Sequence, residues 1–317
     1  MGSARQRQGR KKGRPVNGIL VLDKPRGLSS NQALQRVKWL YRARKAGHTG
    51  SLDPLATGVL PLCFGEATKL SQFLLDSDKR YEVLIELGVR TNTGDAEGEI
   101  TQSEAQVAVT EEQVQKALTQ FIGTIEQVPP MFSAIKQQGV PLYKLAREGK
   151  EVERAGREIT IYSIGLLGLD GRELQLDVHC SKGTYIRTLA DDLGNLLGCG
   201  AHVKALRRTQ AGAFRECDSV TLEQLEESLQ GRDEEDFSGI DSFLVPMDRA
   251  VSDLPEVTLP EVTAGWIKQG QPVLVRHLPA EGLVRLYQGE QFIGIGSILD
   301  DGRVAPKRLL VPEETDQ

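Results

Sequence analysis

The chain has 317 residues, 39% of them hydrophobic and 26% charged, which permits a packed core and excludes general disorder. Lysine and arginine number 39 against 44 aspartates and glutamates, and the net charge of −5 argues at first against a nucleic-acid partner. No run approaches the ~20 apolar residues of a membrane helix, and the four cysteines lack the CxxC spacing of zinc sites, so we expect a cytoplasmic protein without membrane contact or metal.

The predicted elements include both helices and strands. In chain order they are a disordered basic tail at 1–16, a strand at 18–22, a helix capped by Ser29 or Ser30 and running to Tyr41, a loop at 46–65, a helix at 66–75, a strand at 81–87, a turn at 91–98, a helix opened by Thr110 and Gln113, an insertion or surface loop at 129–157, a hairpin at 159–180, a helix at 185–197, a strand at 203–209 and a helix opened by Thr221 and Gln224. The segment 46–65 is assigned as mostly loop because it contains four glycines and two prolines.

The character of the sequence changes at about residue 251, where short apolar runs separated by Gly, Pro and Asp begin. Several short strands with turn signals predict a small β-barrel-like domain. The fold class is therefore α+β. A catalytic-sized domain at 17–250, which contains the insertion at 129–157, precedes a compact β domain at 251–317.

The charge is unevenly distributed along the chain. Residues 1–14 contain six basic and no acidic residues, whereas residues 216–241 contain ten acidic residues and one arginine. Three further basic segments lie at 36–45, 136–157 and 204–208. Because local potential governs binding to a polyanion, these three segments can form one phosphate-binding face if the fold gathers them. Ordinary solvated helix faces are the alternative.

The most informative segment is GHTGSLDPLATGVLP at 47–61, in which Asp53 and His48 are the ionisable residues. Its glycines allow a ligand to approach the backbone closely, and Pro54 restricts Asp53 to extended conformations. An apolar pocket raises the pKa of a carboxyl and a nearby cation lowers it. A catalytic Asp53 therefore predicts an Arg or Lys partner, whereas the alternative is a turn-forming aspartate.

Arg187 is the candidate partner, in the segment SKGTYIRTLADDLG at a predicted strand-to-helix junction. A guanidinium there can bind a carboxylate or a phosphate through two parallel N–H···O hydrogen bonds. The alternative is a surface ion pair with Asp191, four residues further along the same helix.

Six runs stand in a fixed order along residues 17–312. They are GILVLDKP at 18–25, GHTGSLDPLATG at 47–58, DKRY at 78–81, HCSKGTYIRTLADDLG at 179–194, GCGAHV at 198–203 and VAPKR at 304–308. Together they resemble the TruB family of bacterial tRNA pseudouridine synthases, which convert uridine 55 in the T-loop. The resemblance implies a pseudouridine-synthase-like catalytic domain with a mixed, largely antiparallel sheet and a small C-terminal PUA-like β-barrel domain.

The resemblance also implies roles for the matching residues. Asp53 occupies the position of the essential catalytic aspartate, and Arg187 that of the arginine paired with it. Tyr81 matches the tyrosine that stacks on the target base and is a candidate for moving the C5 proton. The implied substrate-binding residues are His48, Lys24, Pro25, Tyr185 and Leu206. From the basic segments, the expected contacts to the RNA backbone are Arg44, Lys45, Lys136, Arg147, Arg207 and Arg208.

The implied reaction is an isomerisation of uridine, which needs no redox partner and no group donor, so we expect no cofactor. The target base must be flipped out of its stack. The expected partner is the T-arm stem-loop of tRNA, bound by a monomer in a basic cleft around Asp53, with the acidic stretch at 216–241 turned away from the RNA. A non-catalytic tRNA-binding or folding protein is the main alternative, and a sugar hydrolase is a distant third.

Overall fold

The computed structural model describes residues 13–231, 233, 235–276 and 278–310. The strands are β1 (Gly18–Lys24), β2 (Ala46–His48), β3 (Thr57–Phe64), β4 (Lys79–Leu87), β5 (Val89–Thr91), β6 (Ile100–Ser103), β7 (Gly123–Gln127), β8 (Lys136–Gln137), β9 (Val140–Pro141), β10 (Arg157–Asp170), β11 (Glu173–Cys180), β12 (Ala201–Ala211), β13 (Phe214–Arg215), β14 (Glu256–Leu259), β15 (Val273–Leu274), β16 (Gly282–Gln288), β17 (Gln291–Ile298) and β18 (Arg303–Leu309). The helices are α1 (Ser30–Leu40), α2 (Ser71–Asp76), α3 (Glu111–Leu118), α4 (Leu142–Arg147), α5 (Ile186–Leu196), α6 (Leu222–Glu227), α7 (Ser238–Asp241) and α8 (Glu261–Lys268). In the part of the chain that the structure describes, none of these helices is long and apolar enough to cross a membrane.

One large sheet organises the first domain. Its strand order is β1-β3-β12-β4-β11-β10-β7, with β2 paired to β3 and β13 to β12. Its pairings are antiparallel except for the short parallel contact between β3 and β12. Along β4 buried and more exposed residues alternate, as expected for a strand with one face on the core. The predicted α+β class with a mixed, largely antiparallel sheet is confirmed.

The strand β3 corrects the prediction of a loop at 46–65. Seven of its eight residues are buried. Leu60 and Leu62 belong to the core cluster on one face of the sheet, and Val59 and Cys63 to the cluster on the other face. A strand buried on both faces reads as a continuous apolar run rather than an alternating one, and the glycines and prolines around it hid this signal.

The helix termini follow the local sequence signals. Ser29 caps α1, Thr110 caps α3 and Thr221 caps α6, each in a capping box completed by the glutamine three residues later. The region predicted as a helix at 66–75 is a 3-10 turn at 65–70 followed by α2. The insertion at 129–157 carries the two short strands β8 and β9 and the helix α4 rather than an unstructured loop.

The C-terminal sheet has five strands in the order β14-β16-β17-β18-β15, with α8 packed against it. The predicted PUA-like β domain is confirmed, although the sequence did not predict β14 or α8. Ile295 of β17 is buried in the same cluster as Ile19 and Val21 of β1. The two sheets therefore share core contacts.

The predicted disordered tail at 1–16 is corrected at its end, whereas residues 1–12 lie outside the described residues. The backbone of Arg14 bonds with Arg42 and Arg44 over 2.7 and 3.0 Å. The Arg14 guanidinium makes two bonds of 2.6 Å to Asp241. Val16 is buried. These contacts order Gly13 to Val16 against the catalytic domain.

Candidate active site

A cleft of about 1050 Å³ opens beside the loop that carries Asp53. The predicted site residues that line it are Asp53, Tyr81, Arg187, His48, Tyr185, Leu206, Arg147 and Arg208. The predicted site residues outside its lining are Lys24, Pro25, Arg44, Lys45, Lys136 and Arg207. The fold therefore gathers the three predicted catalytic residues, which are up to 134 positions apart in the sequence, in one cleft (187 − 53).

The loop that carries Asp53 is held by hydrogen bonds to the start of α1. The buried hydroxyl of Ser30 accepts a bond from the Leu52 N–H over 2.7 Å and lies 3.1 Å from the Leu52 carbonyl. The N–H of Gly27 donates to the Pro54 carbonyl over 2.8 Å. These bonds on both sides of Asp53 fix the backbone from which its carboxylate projects.

Arg187 contacts Asp53 from the first turn of α5. Its Nε lies 3.0 Å from Asp53 Oδ2, and its side chain is only 8% exposed. Two further guanidinium bonds go to the carbonyls of Thr93 and Phe132, over 3.0 and 2.8 Å. The alternative pairing with Asp191 is wrong, because that carboxylate binds Arg90 over 2.7 and 2.8 Å.

Asp95 is a second carboxylate at the same guanidinium, which the sequence analysis missed. Its Oδ2 lies 3.5 Å from Nη1 of Arg187, and its Oδ1 accepts a bond of 2.7 Å from Thr93. Its burial follows from the turn between β5 and β6, where the sequence signal was only a turn. Arg187 therefore faces two carboxylates, of which only Asp53 is largely open to the cleft.

The environment of Asp53 favours its protonated form more than water does. Although 42% of its side chain is exposed to the cleft, the surrounding walls desolvate it. Burial raises the pKa of Asp53, and the neighbouring charge of Asp95 raises it further. Arg187 and Lys24 oppose the shift and stabilise the carboxylate.

Tyr81 lies on β4, opposite Arg208 of β12 in the sheet. Burial raises the pKa of the Tyr81 phenol, and the adjacent Arg208 opposes that shift. Arg208 is 1% exposed, and its guanidinium donates to the carbonyls of Val59 and Gly50 over 2.7 and 3.3 Å. Arg208 thus lines the cleft with little of its surface exposed, and its contact with the RNA backbone stays a prediction.

Lys24 supports the site from below. Its side chain is fully buried, and its ammonium donates to the carbonyls of Pro25 and Leu28 over 2.9 and 2.6 Å. Burial lowers the pKa of Lys24 to about 8, although Asp53 opposes the shift. The structure thus places Lys24 behind the cleft, within the electrostatic reach of Asp53, rather than in its lining.

His48 lies at the end of β2 and lines the cleft. Burial, together with the positive charge of Arg208, lowers the pKa of the His48 imidazole, so the ring is neutral at physiological pH. Its Nδ1 is buried without a hydrogen-bond partner among the described residues.

The basic segments do not all face the cleft. Arg147 of α4 lines it, with its guanidinium 5.7 Å from the Tyr143 ring, and Lys136 is exposed on β8. Arg207 binds Asp23 over 2.8 Å and also contacts Glu216. Its guanidinium is therefore already bound by two carboxylates.

The acidic stretch at 216–241 contacts two of the basic segments. Glu226 lies 2.6 Å from Arg36, and Glu216 contacts Arg207. Both of these arginines lie outside the cleft lining, so the expectation that the acidic stretch is turned away from the RNA stays a prediction. Among the described residues, no group of three or more His, Cys, Asp and Glu side chains is arranged to hold a metal ion.

Comparison with protein-family models gives matches along almost the whole chain. Residues 38–186 match the TruB family pseudouridylate synthase (N terminal domain), residues 187–252 match the tRNA pseudouridylate synthase B C-terminal domain, and residues 255–310 match pseudouridine synthase II TruB, C-terminal.

Curated proteins and solved structures show the same likeness. The tRNA pseudouridine synthase B of Yersinia enterocolitica is 57% identical over 95% of this chain and 93% of its own length. That of Serratia proteamaculans is 57% identical over 95% and 98%. A Cbf5-Nop10-Gar1 complex contains a chain with a TM-score of 0.74 and 26% identity, over 93% of this chain and 85% of that one. An H/ACA RNP bound to a substrate RNA containing 2'-deoxyuridine gives a TM-score of 0.72 and 25% identity, over 94% and 86%.

Proposed function

The chain belongs to the TruB family of pseudouridine synthases, and from that premise we propose that it converts uridine 55 of the tRNA T-loop into pseudouridine, with Asp53 as the catalytic carboxylate. Its curated relatives are tRNA pseudouridine synthases, which supports tRNA pseudouridylation as its activity. The observation that carries the proposal is the contact of 3.0 Å between Asp53 and Arg187 inside a cleft.

The reaction rearranges bonds within one nucleotide. The N1–C1′ bond breaks, the C5–C1′ bond forms, C5 loses a proton and N1 gains one, so electrons and atoms balance without a co-reactant. A carboxylate at this site can attack C1′, attack C6 or remove a sugar proton, and each of these routes uses its ionised form. Arg187 supports all three, because it stabilises the anion that burial and Asp95 disfavour.

The cleft supports a mechanism in which the nucleotide leaves its stack. A base inside a folded T-loop cannot reach Asp53, so it must flip out at a cost of a few kcal/mol. The volume of about 1050 Å³ lies at the upper end of the range for ligand pockets, which suits a nucleotide with its neighbours. Tyr81 and Leu206 line the space in which the uracil is held, and the neutral ring of His48 is placed to pack against the loop.

Tyr81 has two roles in this proposal. Its ring packs against the uracil, because aromatic side chains bind unstacked bases by their faces. Its oxygen, as the phenolate, accepts the C5 proton, although burial raises the pKa of the phenol. The positive charge of Arg208 opposes that effect of burial and stabilises the phenolate that accepts the proton.

The proposed partner is the T-arm of tRNA, bound by a monomer in the cytoplasm. Arg147 on the cleft wall and Lys136 on the insertion are the basic residues we propose for the RNA backbone, together with Arg44 and Lys45. The proposed contribution of Arg207 is indirect, because Asp23 and Glu216 already bind its guanidinium.

Release of tritium from C5-labelled uridine in a tRNA transcript tests this function. We expect release with the wild-type protein and none with a transcript in which uridine 55 is replaced by cytidine. Asp53→Asn keeps the shape of the side chain but removes the anion, so release should fall by at least about a thousandfold while RNA affinity stays within about tenfold.

The matched control is Asp170→Asn, at the exposed last residue of β10, which should release tritium at the wild-type rate. Turnover by Asp53→Asn would refute the catalytic role of Asp53. Tight tRNA binding by the wild-type protein without any release would leave only a binding or folding role.

A further inference from the structure

A buried glutamine side chain bridges the base of the insertion and the start of α5. Gln127 is the last residue of β7 and is 3% exposed. Its Nε2 donates to the Tyr185 carbonyl over 3.1 Å, and its Oε1 accepts from the Tyr185 N–H over 2.8 Å. A two-point contact of this kind fixes both the position and the orientation of the Tyr185 backbone.

That backbone leads directly into the helix that carries Arg187. Tyr185 is the residue before α5, and its own side chain makes no capping bond to the helix. Gln127 therefore accepts from the N-cap N–H of α5, as the third-position glutamine of the capping box does in α1, α3 and α6, but from a separate strand. A displacement of α5 would move the Arg187 guanidinium, whose contact with Asp53 is a single Nε to Oδ2 distance of 3.0 Å.

A second bond ties the same region to the arginine itself. Nη2 of Arg187 donates to the carbonyl of Phe132 over 2.8 Å, five residues after Gln127 (132 − 127). The chain between Gln127 and Phe132 thus contacts the start of α5 at two places. Both contacts fix the start of α5, which carries the arginine beside Asp53.

We propose that Gln127 is a positioning residue for the isomerisation: its amide holds the start of α5 so that Arg187 stays against Asp53. This inference rests on the proposed function. Gln127 does not line the cleft, and its action passes through Tyr185 and Arg187. Its loss should therefore slow the chemical step much more than it weakens RNA binding.

The substitution Gln127→Glu tests both hydrogen bonds with little change of shape. An ionised glutamate keeps an acceptor for the Tyr185 N–H but places a negative charge against the Tyr185 carbonyl. A protonated glutamic acid donates to that carbonyl and still accepts from the N–H, as the amide does. Burial raises the pKa of a carboxyl group, so the protonated form is accessible in mildly acidic buffer.

The measurement is tritium release from C5-labelled tRNA with enzyme in excess, together with the RNA dissociation constant, for wild type, Gln127→Glu, Gln127→Ala and Gln224→Glu. At about pH 8 we expect Gln127→Glu to react about tenfold or more slowly than wild type, with RNA affinity within about threefold. The ratio of its rate to the wild-type rate should rise as the pH falls towards about 6, and Gln127→Ala should show no such recovery. Gln224→Glu keeps the capping box of α6 and should follow wild type at every pH.

Three results would overturn the inference. They are a wild-type rate for Gln127→Glu at about pH 8, a slow rate without recovery in acid, and a loss of RNA affinity equal to the loss of rate. These outcomes differ from failure of the proposed function, in which wild type and Gln224→Glu also release no tritium.

Discussion

The Arg187 guanidinium contacts the carboxylates of both Asp53 and Asp95, and these two neighbours influence the pKa of Asp53. Burial and Asp95 raise the pKa of Asp53, and Arg187 and Lys24 lower it. Because the proposed chemistry uses the ionised form, turnover should increase as the pH rises through the pKa of Asp53. Removing the negative charge of Asp95 should shift the acidic limb of the rate profile to lower pH, and removing a positive charge should shift it to higher pH.

The substitution Asp95→Asn removes the neighbouring negative charge and keeps the side-chain shape. It should lower the pKa of Asp53 and shift the acidic limb of the rate profile to lower pH by up to about one unit. The measurement is the pH dependence of tritium release with enzyme in excess. An acidic limb at the wild-type pH would show that the charge of Asp95 does not reach Asp53.

The substitution Tyr81→Phe separates the ring of Tyr81 from its hydroxyl. We expect unchanged RNA affinity, because the ring still packs, and a fall in turnover of about a hundredfold, because no hydroxyl is left to carry the C5 proton. Tyr162→Phe, which removes an exposed hydroxyl bonded to Asp78, is the matched control and should keep wild-type turnover. Wild-type turnover by Tyr81→Phe would limit Tyr81 to packing.

Some residues of the site can be predicted from the local sequence, and others cannot because they act through tertiary contacts. Asp53 could be predicted from the sequence because it is the one carboxylate in a glycine-rich loop. A buried carboxylate in turn predicts a neighbouring cation, which is Arg187. Asp95 and Gln127 act through tertiary contacts with α5, over separations of 92 (187 − 95) and 58 (185 − 127) residues. Nothing in their local sequence distinguishes them from a turn aspartate and a strand-end glutamine.

At the scale of elements, β3 links the site to the core. Gly58 has φ of +98°, and a Cβ atom built there would lie 2.2 Å from the carbonyl oxygen of Arg208. The close parallel approach of β3 and β12 therefore requires a residue without a side chain at this point. The same approach places the Arg208 guanidinium beneath the cleft, where it reaches the Val59 carbonyl.

Gly58→Ala should consequently destabilise the fold. We expect a loss of at least about 2 kcal/mol in the free energy of unfolding, from backbone strain and separation of the two strands. Gly165→Ala on β10 is the matched control, because a Cβ there meets no atom within 4 Å and its φ is not positive. Urea denaturation measures both variants, and equal midpoints would contradict the steric argument.

The helix starts were predictable from the sequence and the strand β3 was not. The capping boxes at Thr110 and Thr221 are encoded within four residues, so the local sequence is sufficient for them. The strand β3 depends on pairing with β1 and β12, and its glycines and prolines resemble those of a loop. A tertiary sheet contact overrides the local signal there.

At the scale of the whole molecule, charge is neutralised locally rather than separated into two faces. Arg36 and Arg207 are bound by carboxylates of the acidic stretch at 216–241. The exposed Lys136 of the insertion is a stronger candidate for an RNA phosphate than Arg207. Which cations are free to bind RNA therefore depends on the ion pairs of the individual lysines and arginines, and the net charge does not reveal this.

The substitution Lys136→Gln should weaken tRNA binding and reduce its salt dependence. Loss of one phosphate contact makes the slope of log affinity against log salt less negative by about 1. Lys116→Gln, at an exposed lysine of α3 outside the three basic segments, should leave the slope unchanged. Equal slopes for wild type and Lys136→Gln in a filter-binding titration would remove Lys136 from the RNA contact.

The burial of Ile295 among residues of β1 fixes the distance between the C-terminal sheet and the large sheet. Because Ile295 of the C-terminal sheet and Ile19 and Val21 of the large sheet share one apolar cluster, rotation of one sheet against the other would break core packing. Any RNA that reaches both the cleft and the C-terminal sheet must match that span. The packing of Ile295 against β1 therefore limits which RNAs could contact both parts of the protein at once.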